Sequence, residues 1–163
     1  MLPALPNPFY YLDNFRVLLD WISTRYADLL LPAELGFVDG FARLPHASQA
    51  LLVRMVMRKG EWFRAGKLNY VEIGDTRAAA QPLLGAGWIS ADPLLTLAQV
   101  APLLTRAEVL SQLPPQASTA RLAKDALLAT WASIAPEAQP SASGIQQTRC
   151  TSLICALYVI ACG

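Results

Sequence analysis

The chain has 163 residues, of which 54% are hydrophobic and 15% are charged, and its formal net charge is +1. This composition predicts a folded protein with a sizeable core and excludes a disordered chain. It also excludes a strongly basic protein that coats DNA, because such a protein carries a much larger excess of positive charge. The three cysteines, Cys150, Cys155 and Cys162, cluster near the C-terminus and fit neither a disulfide framework nor a zinc site.

The N-terminal sequence MLPALPNPFYY lacks the basic region that opens a signal peptide. The apolar run from Leu153 to Cys162 is shorter than the roughly 20 residues that cross a bilayer as a helix. We therefore expect a cytosolic protein with no membrane partner.

Three helices are predicted in the first 60 residues. Asn7 and Pro8 start the first, which has about six turns and an apolar face at spacings of three and four. That face consists of Leu12, Phe15, Leu19, Ile22, Tyr26 and Leu29. Pro32 opens a second, weaker helix, and Ser48 is expected to cap a third that ends at Gly60 and is apolar nearly all round.

The next segment predicts short elements that alternate with turns. Trp62 and Phe63 begin an extended piece, residues 68–73 suggest a brief helix, and Asp75 can cap a helix over 76–84. Residues 88–90 read as a short strand, before a turn at Asp92-Pro93. This order of helices and strands is typical of a winged helix, although a third strand is not evident.

Residues 94–133 predict two further helices. The first is entered through a capping box from Thr105 to Glu108, and a loop over 114–118 ends it. The second carries Leu122, Leu127, Leu128 and Trp131. A linker rich in proline, serine, alanine and glycine follows over 136–144. The apolar tail after it differs in composition from the rest of the chain, since it contains no acidic residue and one basic residue.

Charge is distributed unevenly along the chain. Residues 1–42 hold two basic and five acidic residues, residues 43–77 hold seven and three, and residues 78–163 hold four of each. The segment from Leu52 to Gly74 also interleaves its cations with aromatic residues, which is typical of a nucleic-acid surface. We therefore predict a local DNA-docking face, with a merely solvated face as the alternative.

Nine residues are the candidates for DNA binding. Those expected to contact phosphates are Arg54, Arg58, Lys59, Arg64 and Lys67. Arg77 and Gln81, four residues apart on one helix, could read a groove as a recognition helix does. Arg121 and Lys124 lie near a helix start, where cations oppose the helix dipole and a bound phosphate would explain them.

No catalytic or metal-binding constellation is evident in the sequence. His46 is the only histidine and is expected to be structural. The carboxylates form no two-metal cluster, and no serine or cysteine has an evident histidine partner. The large aromatics are expected mainly in the core, with Trp62 the one that lies nearest the cations and suits base stacking.

Two stretches, PNPFYYLDNFRVLLDW and ALLVRMVMRKGEWFRAGKLNYVEIGDTRAAAQPLL, resemble the N-terminal part of bacterial Fanconi-associated nucleases, which are of the phosphodiesterase I type. The resemblance covers about residues 6–133. It implies a mainly α fold, with a helical, winged-helix-like domain over 1–93 and a small SAP-like helical pair over 94–135. The linker and anomalous tail occupy 136–163.

The same resemblance implies a function. Family members cleave branched and flapped DNA in interstrand cross-link repair, using Mg²⁺ or Mn²⁺ in a C-terminal VRR-NUC nuclease domain. The chain is too short for that domain, so we expect DNA binding without cleavage and no cofactor of its own. Likeness stops near Gly144, which suggests a truncated or frameshifted reading frame. The alternatives are a protein-interaction module of a repair complex, using the first helix and the Trp62-Phe63 edge, or a non-functional remnant.

Overall fold

A computed structural model describes residues 7–91, 97–114, 121–134 and 157–160. Seven helices and three strands are described, joined in places by 3₁₀ turns at Ala65–Lys67 and Ala101–Leu103. In chain order they are α1 (Tyr10–Arg25), α2 (Pro32–Arg43), α3 (His46–Val56), β1 (Trp62–Arg64), α4 (Thr76–Gly85), β2 (Ile89–Ala91), α5 (Leu97–Val100), α6 (Arg106–Ser111), α7 (Lys124–Ile134) and β3 (Leu157–Ile160). The fold is mainly helical, as the sequence predicts.

The chain divides into two compact units. The first comprises Met1–Glu61, Lys67–Ser90 and Ile160–Gly163, and the second comprises Trp62–Gly66 and Ala91–Val159, in each case for the residues that the structure describes. Within the first unit α3 packs against both α1 and α4, and α1 also packs against α2. Within the second, α6 packs against α7.

Helix α1 starts later and ends earlier than predicted, since its N-cap is Phe9 and not Asn7. The Asn7 side-chain oxygen accepts a hydrogen bond from the backbone N–H of Phe9, which orders the entry to the helix. The helix stops at Arg25, because the chain turns at Tyr26 and the N–H of Leu29 donates to the Tyr26 carbonyl. The prediction of six turns was therefore wrong, and Tyr26 and Leu29, expected on the apolar inner face, are exposed.

Helix α2 opens at Pro32, as the sequence predicts. The Glu34 carboxylate accepts a hydrogen bond from the backbone N–H of Leu31 at 2.8 Å and closes the first turn. On the same helix Gly40 faces the Trp88 indole, and a Cβ atom built there would lie 2.7 Å from Cζ2 of that ring. The absence of a side chain at Gly40 lets Trp88 lie directly against the helix, with its ring stacked on Phe37 at 5.0 Å.

Helix α3 forms the centre of the first unit. Its buried apolar side chains are Ala50, Leu51, Leu52, Val53 and Met55. The helix starts two residues before the predicted cap, because Pro45 fixes an extended conformation immediately ahead of His46. Ser48 is therefore not a cap but a buried residue of the first turn, and its hydroxyl has no hydrogen-bond partner among the described residues.

Gln49, also buried on α3, connects three helices. Its side-chain amide donates to the carbonyls of Phe41 and Leu44 at 2.8 and 3.0 Å, which satisfies the C-terminal end of α2. Its side-chain oxygen accepts two hydrogen bonds from Arg16 of α1. The Gln49 side chain thus holds α1, α2 and α3 together through hydrogen bonds, at a buried position where an apolar side chain would be usual.

The short elements between α3 and β2 agree with the sequence in part. The extended piece at Trp62 is β1. The helix expected over 68–73 is wrong: this segment is a turn in which the carbonyl of Tyr70 accepts from the N–H groups of Ile73 and Gly74. Gly74 has a φ of 74°, which ends the turn, and Asp75 then caps α4 as predicted. The strand expected near residue 88 is β2.

The second unit is built around a small apolar core. Its buried members are Val100, Leu104, Val109, Leu113 and Leu127, and Trp62 and Trp131 pack against them. The predicted capping box is present, since the Thr105 hydroxyl accepts from the N–H of Glu108 while the Glu108 carboxylate accepts from the N–H of Thr105. β1 pairs with β3 in antiparallel register, with Phe63 opposite Tyr158.

Several predicted features lie outside the described residues. These are the turn at Asp92-Pro93, the loop after Pro114, the linker over 136–144 and the three cysteines. β3 lies in the segment predicted as an anomalous tail. No helix in the described ranges has both the length and the apolar character that a membrane span requires.

Candidate nucleic-acid interface

Four of the predicted cationic residues are exposed on the first unit. Arg58 and Lys59 follow the end of α3, Lys67 closes the 3₁₀ turn after β1, and Arg77 lies in the first turn of α4. Within the described part of the chain, none of the four forms an ion pair with a carboxylate. Their charges are therefore available to a polyanion.

Arg54, also predicted as a phosphate contact, is held inside the first unit. Its Nε and Nη2 atoms donate to the Oε1 atom of Glu72 at 3.0 and 2.5 Å, and the two side chains are only 28% and 13% exposed. The guanidinium lies 3.9 Å from the centre of the Tyr11 ring. This guanidinium is thus occupied by contacts within the fold.

The contacts among Arg54, Glu72 and Tyr11 also set the pKa values of these three side chains. Burial is the largest single influence and disfavours the Glu72 carboxylate, but the hydrogen bonds from Arg54, a backbone N–H and Tyr11, together with the charge of Arg54, outweigh it and lower the pKa of Glu72. Burial likewise disfavours the charged guanidinium, yet the hydrogen bonds to Glu72 and Tyr11 raise the pKa of Arg54. Burial raises the pKa of Tyr11. The pair stays charged, and Tyr11 stays neutral, at physiological pH.

Tyr70 connects this internal pair with the exposed cations. Its ring centre lies 5.2 Å from the Arg54 guanidinium carbon and 5.3 Å from that of Arg58, distances at which a cation is attracted to an aromatic ring. Because Arg54 is fixed by Glu72, Tyr70 is held in place and offers Arg58 a fixed neighbour. The exposed guanidinium of Arg58 is thereby oriented at the end of α3.

Helix α4 presents a flat outer face. Ala79, Ala80 and Leu83 are buried, and the helix packs against α3. The exposed residues on the opposite side are Arg77, Ala78, Gln81 and Gly85. Because Ala78 and Gly85 are small, the long polar side chains of Arg77 and Gln81 are the groups that project from this face. An outer helix of this kind suits contact with a groove.

The N-terminus of α4 is already capped. The Asp75 carboxylate accepts from the backbone N–H groups of Arg77 and Ala78 at 2.9 and 3.0 Å. It therefore occupies the place at which a phosphate would meet the helix dipole. Recognition by this helix must use its side chains.

Arg64 is paired within the second unit. Its guanidinium donates to both carboxylate oxygens of Glu108, at 3.0 and 2.5 Å, and to the Leu103 carbonyl at 3.1 Å. The hydrogen bonds from Arg64 and from the Thr105 backbone lower the pKa of Glu108 to about 2. Arg64 thus closes β1 onto the start of α6. Sequence reasoning missed both partner carboxylates, which lie 18 and 44 residues from the arginines that they bind.

Arg121 and Lys124 lie at the approach to α7. Arg121 is exposed and precedes the helix, and Lys124, its first residue, is half-buried. The structure describes no ion pair for either of them. They remain candidates on the second unit.

The aromatic residues are largely built into the two cores, as expected. Phe63 is buried, and Trp62 packs against the core of the second unit. Phe63 is therefore not exposed for the protein contact predicted at the Trp62-Phe63 edge, and Trp62 is half-buried. The His46 ring packs edge-on against Phe9 at 4.5 Å, which agrees with a structural role. Among the described residues no group of three or more His, Cys, Asp or Glu side chains could hold a metal ion.

Comparisons with known proteins bear on this arrangement. Residues 9–90 match the FAN1 HTH domain, and residues 94–143 match the Fanconi anemia-associated nuclease SAP domain. The chain is 58% identical to the Fanconi-associated nuclease 1 homolog of Pseudomonas aeruginosa over 137 residues, which are 84% of this chain and 24% of that protein. It is 35% identical to Fanconi-associated nuclease 1 of Homo sapiens over 106 residues, 63% of this chain and 10% of that protein.

Solved structures show the same likeness. A crystal structure of paFAN1 bound to 2nt 5′ flap DNA with a gap superposes with a TM-score of 0.80 at 51% identity, over 98% of this chain and 28% of that one. A second, with a 1nt 5′ flap, gives a TM-score of 0.77 at 48% identity. The chain thus spans about a quarter of the length of the bacterial relatives, and its match covers 10% of the human one. Since the HTH-domain match covers half of its residues, the chain belongs to the Fanconi-associated nuclease family.

Proposed function

We propose that the chain is the DNA-docking portion of a structure-specific nuclease and binds the backbone of branched or flapped DNA. The observation that carries the proposal is the set of exposed, unpaired cations on the helix-turn-helix unit of a chain that closely resembles flap-bound relatives. Arg58, Lys59 and Lys67 contact phosphates, whose neutralisation gives affinity without sequence preference. Arg77 and Gln81 face a groove from α4.

Arg54 and Arg64 have a supporting role in this proposal. Each is tied to a carboxylate, so its net charge toward DNA is cancelled locally. Arg54 fixes Tyr70 and thereby orients Arg58. Of the five predicted phosphate contacts, three are thus proposed to bind phosphates directly, and Arg54 and Arg64 are proposed to stabilise the surface that carries them.

On the second unit, Arg121 and Lys124 provide a further phosphate contact at the start of α7. In this proposal the boundary at residue 93 separates the two binding regions, and the second region ends at residue 135. The whole enzyme to which such a chain corresponds is a phosphodiesterase I of interstrand cross-link repair, located in the cytosol with other repair proteins. Its nuclease domain supplies the Mg²⁺- or Mn²⁺-dependent hydrolysis, and the present residues bind without cutting.

A salt titration tests the proposal. Fluorescence anisotropy of a labelled 5′-flap duplex is measured between about 50 and 200 mM salt, where the three phosphate contacts of the first unit and the further contact at α7 predict a slope of about −3.6 in a plot of log affinity against log salt. Arg58→Ala with Lys59→Ala is expected to reduce that slope by about 2 and to weaken binding equally for different DNA sequences. Mg²⁺ or Mn²⁺ is added in parallel, and intact substrate is expected.

Two matched variants make the result specific. Arg25→Ala removes an exposed cation at the end of α1, outside the basic segment, and is expected to leave the slope unchanged. Arg54→Ala leaves Glu72 half-buried without its partner and is expected to lower stability by about 2 kcal/mol. The proposal fails if the flap DNA does not bind, or if Arg58→Ala with Lys59→Ala behaves like Arg25→Ala.

A further inference from the structure

Helix α1 has a second apolar face, which points away from the core. Tyr10, Val17, Leu18 and Trp21 are between 41% and 69% exposed. The inner face, by contrast, places Leu12 and Tyr11 in the buried core. A helix that is apolar on two sides has more apolar surface than its own unit covers.

Exposed apolar surface is concentrated in this part of the first unit. Among the described residues, nine of the thirteen exposed large hydrophobic side chains lie between Tyr10 and Phe37. The Trp21 indole is held in place, because the Tyr26 ring meets it edge-on at 5.3 Å. A fixed tryptophan on an exposed face is a typical anchor of a protein interface, since little side-chain entropy is lost on binding.

The outer residues of α1 follow a heptad pattern. Tyr10, Asn14, Val17 and Trp21 are spaced by four, three and four residues, which places them on one line along the helix. We call this line the outer seam. The helix has 16 residues, about 24 Å, enough to pair with two heptads of another helix. Asn14 in the middle of the seam would fix the register of such a pair.

One edge of the outer seam is acidic. Asp13 and Asp20, seven residues apart and both exposed, lie on the same side of it. They stand where the flanking positions of a coiled-coil helix meet the charged residues of its partner. Asp13 accepts a hydrogen bond from Asn7 at 2.6 Å and lies 3.7 Å from Arg16, so its charge is offset within the helix. The Asp20 carboxylate, for which no ion pair is described, repels a nucleic acid or an anionic membrane and favours lysine or arginine.

We infer that the outer seam of α1 docks a basic amphipathic helix of another protein, with apolar residues against Tyr10, Val17 and Trp21 and a cation against Asp20. A second copy of this chain is a poor occupant. An antiparallel copy brings the aspartates of the two chains together, and a parallel copy sets Asp13 against Leu18. This surface is additional to the proposed DNA contacts, with the opposite charge.

The test uses two synthetic 18-residue helical peptides with the same leucine seam and either lysine or glutamate at both flanks. Each is titrated into the full chain while the backbone amide signals are followed by NMR. The lysine peptide is expected to shift the signals of α1 and to bind at least about tenfold more tightly than the glutamate peptide. Trp21→Ala is expected to weaken it about tenfold.

Charge reversal tests whether the preference between the two peptides depends on the outer seam or on the overall charge of the chain. Asp20→Lys is expected to invert the order of the two peptides, while Asp39→Lys, an exposed acid on α2, leaves the order unchanged. Asp20→Asn serves if Asp20→Lys does not fold, and it is expected to abolish the preference. Equal binding of both peptides, no binding, or shifts away from α1 would overturn the inference. So would sedimentation of the chain as a dimer that Trp21→Ala dissociates.

Discussion

Replacement of Gly40 by alanine tests the packing of the first unit directly. In an open helix such a change stabilises by about 1 kcal/mol, because glycine loses more backbone entropy on folding. At Gly40, however, the new Cβ atom would lie 2.7 Å from Cζ2 and 3.4 Å from Cη2 of Trp88. The indole must then leave its stacked position on Phe37, and overpacking of this kind costs roughly 1–3 kcal/mol. We expect a net loss of about 1 kcal/mol.

Gly36, four residues earlier on α2, provides the matched control. No atom lies within 4 Å of the position of its Cβ, so Gly36→Ala is expected to gain about 1 kcal/mol. The two variants should therefore differ by about 2 kcal/mol in urea denaturation followed by circular dichroism, with midpoints displaced in opposite directions. Adding Trp88→Phe, which shortens the ring, should recover much of the loss in Gly40→Ala. Equal stabilisation by both alanines would refute the close approach of Trp88 to α2.

Three further predictions concern single polar groups. Ser48→Ala removes a buried hydroxyl that has no partner in the described part of the chain. It should raise the free energy of unfolding by up to about 1 kcal/mol, and with it the midpoint of thermal unfolding, whereas a loss would reveal a partner. Asp75→Ala should cost about 1 kcal/mol by uncapping α4, and Asp75→Asn should cost less, as unfolding in urea would show. The pKa of Glu108 is lowered from 4.5 to about 2, so the stability it supplies is complete above pH 4.5 and is lost as pH falls toward 2. After allowance for solvent screening this is about 1 kcal/mol, and Glu108→Gln should remove that part of an acid titration of unfolding.

The sequence predicted best the features that depend on neighbouring residues. Pro32 at a helix start, Asp75 ahead of α4 and the pair Thr105 and Glu108 act within three residues of themselves, and each does in the structure what its local pattern indicates. The errors arose where an apolar or polar pattern continued past a turn. Tyr26 fits the spacing of α1 but lies in the turn that ends it.

The ion pairs could not be predicted in the same way. Glu72 reaches Arg54 only because the 70–73 turn folds back beside α3, and nothing within a helical turn of Arg54 indicates this contact. Arg64 meets Glu108 because β1 belongs to the second unit. From sequence, both arginines are indistinguishable from Arg58, which is free of any carboxylate in the described part of the chain.

Paired and free cations contribute differently to the proposed DNA-binding surface. A guanidinium in a fixed, partly buried pair cannot turn toward DNA without breaking hydrogen bonds to its carboxylate, so Arg54 can only support its neighbours. Arg58, Lys59 and Lys67 lack that cost and can meet phosphates of different spacing. At the opposite charge extreme, Asp20 borders the apolar outer seam of α1. In the two proposals DNA and a basic helix therefore meet parts of the first unit that have opposite charge, so removal of the exposed cations and removal of Asp20 are expected to affect different ligands.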